Sequence, residues 1–131
     1  MQFTITAIAL TNRKSEIEEI ASRLGWDNPR IEWPVLAEVA SDLALRIATE
    51  SEELYGVPVV ATSAAGNHTI SLQFKFDFPN NKTELILDAL GLDSASKLQL
   101  IRGIGSQIRS TLIDVYGFTS LVTGRTGYRL S

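Results

Sequence analysis

The chain has 131 residues, a formal net charge of −3, 44% hydrophobic and 21% charged residues, and no cysteine. This is the size and composition of one soluble globular domain, long enough to bury about two thirds of its unfolded surface. The missing cysteines exclude disulfides, thiolate metal sites and cysteine nucleophiles; no apolar run approaches the roughly 18 residues of a membrane span, and the charge is too mild to imply nucleic acid. These features fit a soluble protein of a reducing, cytoplasmic setting.

A first strand is expected from about Gln2 to Leu10. Phe3, Ile5 and Ala7 alternate with Gln2, Thr4 and Thr6. Ile8 and Leu10 add apolar residues on the second face, which suits a strand covered on both sides. The segment has no basic flank before it, and its alternating threonines favour a strand over a secretory leader.

A helix follows near Asn12 to Leu24. Ser15 and Glu18 have capping-box spacing, and Asn12 is the alternative cap. Ile17, Ile20, Ala21 and Leu24 form its apolar stripe, and Gly25 stops it. Pro34 suits the first position of a second helix. Its stripe is Leu36, Val39, Leu43 and Ile47, with Ala37, Ala40, Ala44 and Ala48 small enough to let a neighbour approach. Gly56 and Pro58 end it.

A short strand, Val57 to Thr62, is read next, with Pro58 at its start or on an edge. Ser63 to Asn67 reads as a connection. Beyond it comes the clearest pattern in the chain. Every second residue from Ile70 to Phe78 is apolar, and those between are polar or charged, so one face of a strand is buried and the other wet.

Asn81 and Glu84 resemble a capping pair for a helix ending at Gly91, and Asp93 caps another that runs towards Tyr116. The stripe of this last helix is Leu98, Ile101, Ile108, Leu112 and Val115. Gly103 and Gly105 each cost it about 1 kcal/mol relative to alanine. A break there, with Ser106 capping a fresh start, is one reading and a continuous helix the other. The tail from Phe118 to Leu130 reads as a terminal strand or hairpin turning at Gly124 to Gly127.

The order β-α(α)-β-β-α(α)-β over a single domain, residues 1–131, is that of a ferredoxin-like split βαβ sandwich. Its expected form is an antiparallel sheet of about four strands with the helices on one face.

No catalytic or cofactor motif stands out, and no cofactor or metal is expected. His68 is the one histidine and the weak candidate for a general base, lacking an evident orienting acceptor. Residues 94–131 hold Lys97, Arg102, Arg109, Arg125 and Arg129 against Asp114 alone, whereas residues 1–66 hold five basic and ten acidic residues. Arg102, Arg109, Arg125 and Arg129 are candidate ligand-binding residues, since clustered arginines clamp phosphates and carboxylates. The plainer reading is a solvated face paired with the acidic half.

Glu50, Glu52 and Glu53 lie near the end of the second helix, where carboxylates oppose the helix dipole. They are candidate partner-binding residues for a basic target, unless Thr49 and Glu52 cap a new short turn there. RNA-recognition modules share this element order, but their exposed stacking aromatics are not matched here. Phe74, Phe76 and Phe78 belong to the apolar face, so nucleic acid is not expected. The reading is therefore a small non-enzymatic interaction or regulatory module that self-associates. The alternative is a small-anion binding protein or enzyme built on the four arginines.

Overall fold

The computed structural model describes residues 2–10, 14–26, 33–66, 69–79, 97–118 and 127–130. In chain order the elements are β1 (Gln2–Leu10), α1 (Lys14–Arg23), α2 (Trp33–Tyr55), β2 (Val59–Gly66), β3 (Thr69–Asp77), α3 (Lys97–Asp114) and β4 (Gly127–Leu130). The class is α+β, with helices packed on an antiparallel sheet.

The alternating segment forms β3, and β3 organises the sheet. It pairs antiparallel with β1 on one side, from Gln2 opposite Asp77 to Leu10 opposite Thr69. On its other side it pairs antiparallel with β2, from Val59 opposite Phe76 to Gly66 opposite Thr69. The short β4 runs antiparallel to the outer side of β1, with Thr4 opposite Arg129.

Period-two burial is carried through these pairings. Phe3, Ile5, Ala7 and Ala9 of β1 are buried, as are Ile70, Leu72, Phe74 and Phe76 of β3 and Phe78 just beyond it. Phe3 stands opposite Phe76, and the two rings stack with centroids 5.1 Å apart. Phe78 joins the stack 5.6 Å from Phe3. Tyr55, from the end of α2, meets Phe76 and Phe78 edge-on, at 6.2 Å from each. Stacked and edge-on pairs are the favoured geometries of aromatic quadrupoles.

The helices cover this apolar face. α2 lies over β2 and β3, and α3 reaches β1. In α2 the buried positions Leu36, Val39, Ala40, Leu43, Ala44, Ile47, Ala48 and Ser51 follow the helical repeat. Ala37 is exposed, so the small residues that bring α2 close to its neighbours are Ala40, Ala44 and Ala48. α1 adds Ile17, Ile20, Ala21 and Leu24 to the same core. It ends in a Schellman pair of bonds: Gly25 N–H to Ser22 O at 2.9 Å and Trp26 N–H to Ala21 O at 3.1 Å.

Several expectations are corrected. Ser15 lies inside α1 rather than capping it, and Asn12 is outside the described residues. Ile8 is half-buried on the second face of β1, which no described helix covers. β2 starts two residues later than expected and continues through Ser63 to Gly66. The weak intrinsic strand preference of Ser63-Ala-Ala-Gly66 is overridden by the ladder that β3 offers it.

α3 runs unbroken through Gly103 and Gly105, so Ser106 caps nothing. Burial of Ile101, Ile104, Ile108 and Leu112 holds the helix together there, and packing outweighs the local glycine cost. Val115 is 55% exposed, because Tyr116 takes the next inward position, four residues after Leu112. The helix expected between Asn81 and Gly91, the Asp93 cap and most of the tail hairpin lie outside the described residues.

Phe76 touches both aromatic neighbours and Tyr55, and it is fully buried. Phe76→Ala should cost about 3–5 kcal/mol. Urea unfolding will measure it, and a loss below about 1 kcal/mol would mean that the stack does not carry the core.

Candidate functional site

Three structural features gather the polar side chains of the described residues: a clasp at the helix ends, the carboxylate of Glu52, and the outer edge of β2. The clasp is built on one ridge of α2. Asp42, Arg46 and Glu50 are spaced four apart and therefore share a face. Trp26 Nε1–H donates to Asp42 Oδ2 at 2.8 Å. Arg46 Nε–H donates to Asp42 Oδ1 at 3.1 Å. Tyr116 O–H reaches Glu50 Oε1 at 3.5 Å.

α1 is tied into the same place. Arg23 Nε–H bonds Glu19 at 3.2 Å, and an Arg23 guanidinium N–H donates to Val115 O at 3.3 Å. The guanidinium crosses directly over Gly117, whose φ is +80°. A Cβ there would sit 2.9 Å from the Arg23 side chain. The positive φ favours glycine there, whereas the contact is with the end of an exposed arginine side chain that can move aside.

Burial raises the pKa of Tyr116 above the usual tyrosine value, and the nearby Glu50 carboxylate raises it further. Arg46 acts in the opposite direction. The clasp consists of donors and acceptors that satisfy one another, which makes it a tie between helices.

Beside the clasp, α2 and α3 leave a small cleft of about 60 Å³, open to solvent and bordered by Glu50, Ser51, Tyr55, Gln107 and Thr111. Burial also raises the pKa of Tyr55.

The three acids at the end of α2 have separate surroundings. Glu50 meets Tyr116, as above. Glu53 is exposed. Glu52 spans the turn that follows the helix. Its carbonyl accepts the Gly56 N–H at 2.8 Å, and its carboxylate Oε1 accepts the Val59 N–H at 2.9 Å. Gly56 makes this possible with a φ of +65°, which reverses the chain so that β2 starts beside the helix. Thr49 begins no new turn: α2 is continuous to Tyr55, and the Thr49 hydroxyl donates back to Leu45 O at 2.9 Å.

The outer edge of β2 follows from the ladder. Asp77 N–H donates to Pro58 O at 3.3 Å. In an antiparallel pair, bonded and non-bonded positions alternate. Residues 60, 62, 64 and 66 therefore direct their main-chain groups at β3, and residues 59, 61, 63 and 65 direct theirs away. The bond from Val59 N–H to Glu52 fits this phase independently.

The strand reads VVATSAAG, with no charged residue and no proline. Thr62, Ser63 and Ala64 are exposed, and Val60 is 61% exposed. Among the described residues no strand pairs with this edge.

The second face of the sheet carries Thr4, Thr6, Thr62, Gln73 and Lys75, all half-buried or exposed. Thr62 Oγ1 lies 3.5 Å from Gln73 Oε1 across the strands.

Of the four candidate arginines, Arg102 and Arg109 lie on α3 in the helical layer. Arg129 lies in β4 opposite Thr4. Arg125 and His68 lie outside the described residues. Among the described residues, no group of three His, Cys, Asp or Glu could hold a metal ion, and no helix is long and apolar enough to cross a membrane.

The sequence reading missed the clasp. The Asp42–Arg46–Glu50 spacing was a visible signal, but the partners Trp26 and Tyr116 are distant in the chain. No family model, no curated protein and no solved structure matches this chain.

The clasp makes a pH prediction. Because folding favours the neutral phenol of Tyr116, its contribution is intact below the unfolded value of about 10 and is lost as the pH rises through the higher folded value. Tyr116→Phe should flatten the fall in urea midpoint between about pH 9 and 11. Identical alkaline slopes in the two proteins would show that Tyr116 is not desolvated beside Glu50.

Proposed function

We propose that this protein is a small non-enzymatic interaction or regulatory module that self-associates through the outer edge of β2. The observation that carries the reading is the composition of that edge. Natural edge strands are blunted by charges, prolines, bulges or covering elements, because exposed N–H and C=O groups recruit other strands. Among the described residues the blunting is confined to the start of the strand, where the Glu52 carboxylate takes up the outward Val59 N–H. From residue 60 to residue 66 the strand has no charged side chain to repel a partner. A strand of this kind is suited to β-augmentation, in which main-chain bonds supply the affinity.

The fold we propose is the ferredoxin-like split βαβ sandwich. Support comes from the antiparallel pairing of β3 with both β1 and β2. Two strands that flank a common antiparallel neighbour are parallel to each other. β1 and β2 are joined through helices α1 and α2, so the unit is a βαβ split by β3. That arrangement leaves β2 on the outside of the sheet, where it serves as an interaction surface.

Pairing by one strand buries less than the roughly 1,200 Å² of a standard interface, so the association is expected to be weak and concentration-dependent. Sedimentation velocity from micromolar to near-millimolar protein should show the average mass rising towards twice the monomer. Ser63→Lys should hold the protein monomeric with an unchanged thermal midpoint. A strict monomer at the highest concentration, or a lysine variant that assembles as well as the parent, would rule out the edge as the interface.

A further inference from the structure

We infer that the second copy joins in one register: antiparallel, on a two-fold axis through Ser63, with Glu52 setting that register. The inference rests on the self-associating reading above and specifies its geometry. The main-chain groups directed outward and left unbonded by Glu52 are the N–H and C=O of Ala61, Ser63 and Ala65, and the C=O of Val59. A two-fold axis through Ser63 places Ser63 opposite itself and Ala61 opposite Ala65 of the second copy. Every N–H and C=O of these three residues then finds a partner, giving six bonds in all.

Moving the axis to Thr62 would bring Val59 opposite Ala65 of the second copy. The carboxylate of Glu52 stands at that point, 2.9 Å from the Val59 nitrogen. It would face the incoming Ala65 carbonyl, acceptor against acceptor, leaving a buried polar group without a donor. In the Ser63-centred register the carboxylate stands just beyond the last bonded pair. Glu52 therefore acts as a stop that both ends the ladder and selects its phase.

Side chains agree with this placement. On the second face of the sheet, Val60 would lie opposite Gly66 of the second copy. Its exposed apolar surface would cover a residue that has no side chain of its own. The paired segments carry no charge, so two copies bring no like charges together. That is the condition a self-complementary edge must meet.

The absence of native cysteine allows a direct test. Single cysteines are placed in turn at Ala61, Thr62, Ser63, Ala64 and Ala65, and each variant is oxidised with oxidised glutathione at high protein concentration. On a two-fold axis only the central residue meets its own copy, with Cα atoms about 5.5 Å apart, inside the range a disulfide spans. Ser63→Cys should give the covalent dimer at least several-fold faster than the other four. Repeating the series with Glu52→Ala should bring Thr62→Cys up towards the Ser63→Cys rate.

A maximum at another position would overturn the register. Equal rates at all five positions, with dimer still seen by sedimentation, would also overturn it while leaving self-association standing. A sharp Ser63 maximum that survives Glu52→Ala would remove the role assigned to Glu52. A protein that stays monomeric by sedimentation would overturn the self-associating reading itself.

Discussion

The cross-strand stack of Phe3, Phe76 and Phe78, closed from above by Tyr55, is the contact on which the rest of the arrangement depends. It joins the central strands β1 and β3 to the end of α2. Because side chains alternate along a strand, a slip of one residue between β1 and β3 would turn one of these rings into water. The stack therefore fixes the register, and the register fixes which face of the sheet the helices cover. The other face is left with threonine, glutamine and lysine at the positions opposite one another.

The same anchoring determines the outer edge. Tyr55 is the last residue of α2. With its ring held against Phe76 and Phe78, the chain must reverse immediately, and Gly56 and Pro58 supply the reversal. Glu52, one turn earlier on the helix, is then brought beside the first outward N–H of β2. One carboxylate thus secures the helix-to-strand turn and guards the start of the edge strand. The remainder of that strand is uncharged, and among the described residues no strand pairs with its outer edge. In this account stability and assembly come from the same few residues: the aromatic stack places α2, α2 places Glu52, and Glu52 limits which part of β2 is available.

Local periodicity made much of this legible in the sequence. The alternation from Ile70 to Phe78 reports the buried face of β3 directly, since period two needs no tertiary context to be read. The stripes of Ile17, Ile20 and Leu24 and of Leu36, Leu43 and Ile47 located two helices for the same reason. What failed was local preference taken without its neighbours. Ser63-Ala-Ala-Gly66 looks like a turn, and it is a strand only because β3 bonds to it. Gly103 and Gly105 look like a break, and the helix persists because isoleucines on either side are buried.

The polar sites were the least legible. Glu50 and Glu52 were visible as acids at an unfavourable helix end, but their actual acceptor roles depend on Tyr116 and on the Val59 N–H. Neither can be inferred from spacing. The arginines of the last third read as a cluster in one dimension; among the described residues Arg102 and Arg109 lie on α3 and Arg129 lies in β4.

The central claim is that Ala61, Ser63 and Ala65 carry unpaired outward main-chain groups that a second copy takes up. Amide hydrogen exchange, resolved by residue and followed across protein concentration, tests it most directly. The account predicts that the Ala61, Ser63 and Ala65 amides exchange rapidly in dilute protein and become protected as the concentration rises. The Thr62 and Ala64 amides, bonded to β3, and the Val59 amide, bonded to Glu52, should be protected throughout. Exchange at Ala61, Ser63 and Ala65 that does not respond to concentration would contradict it.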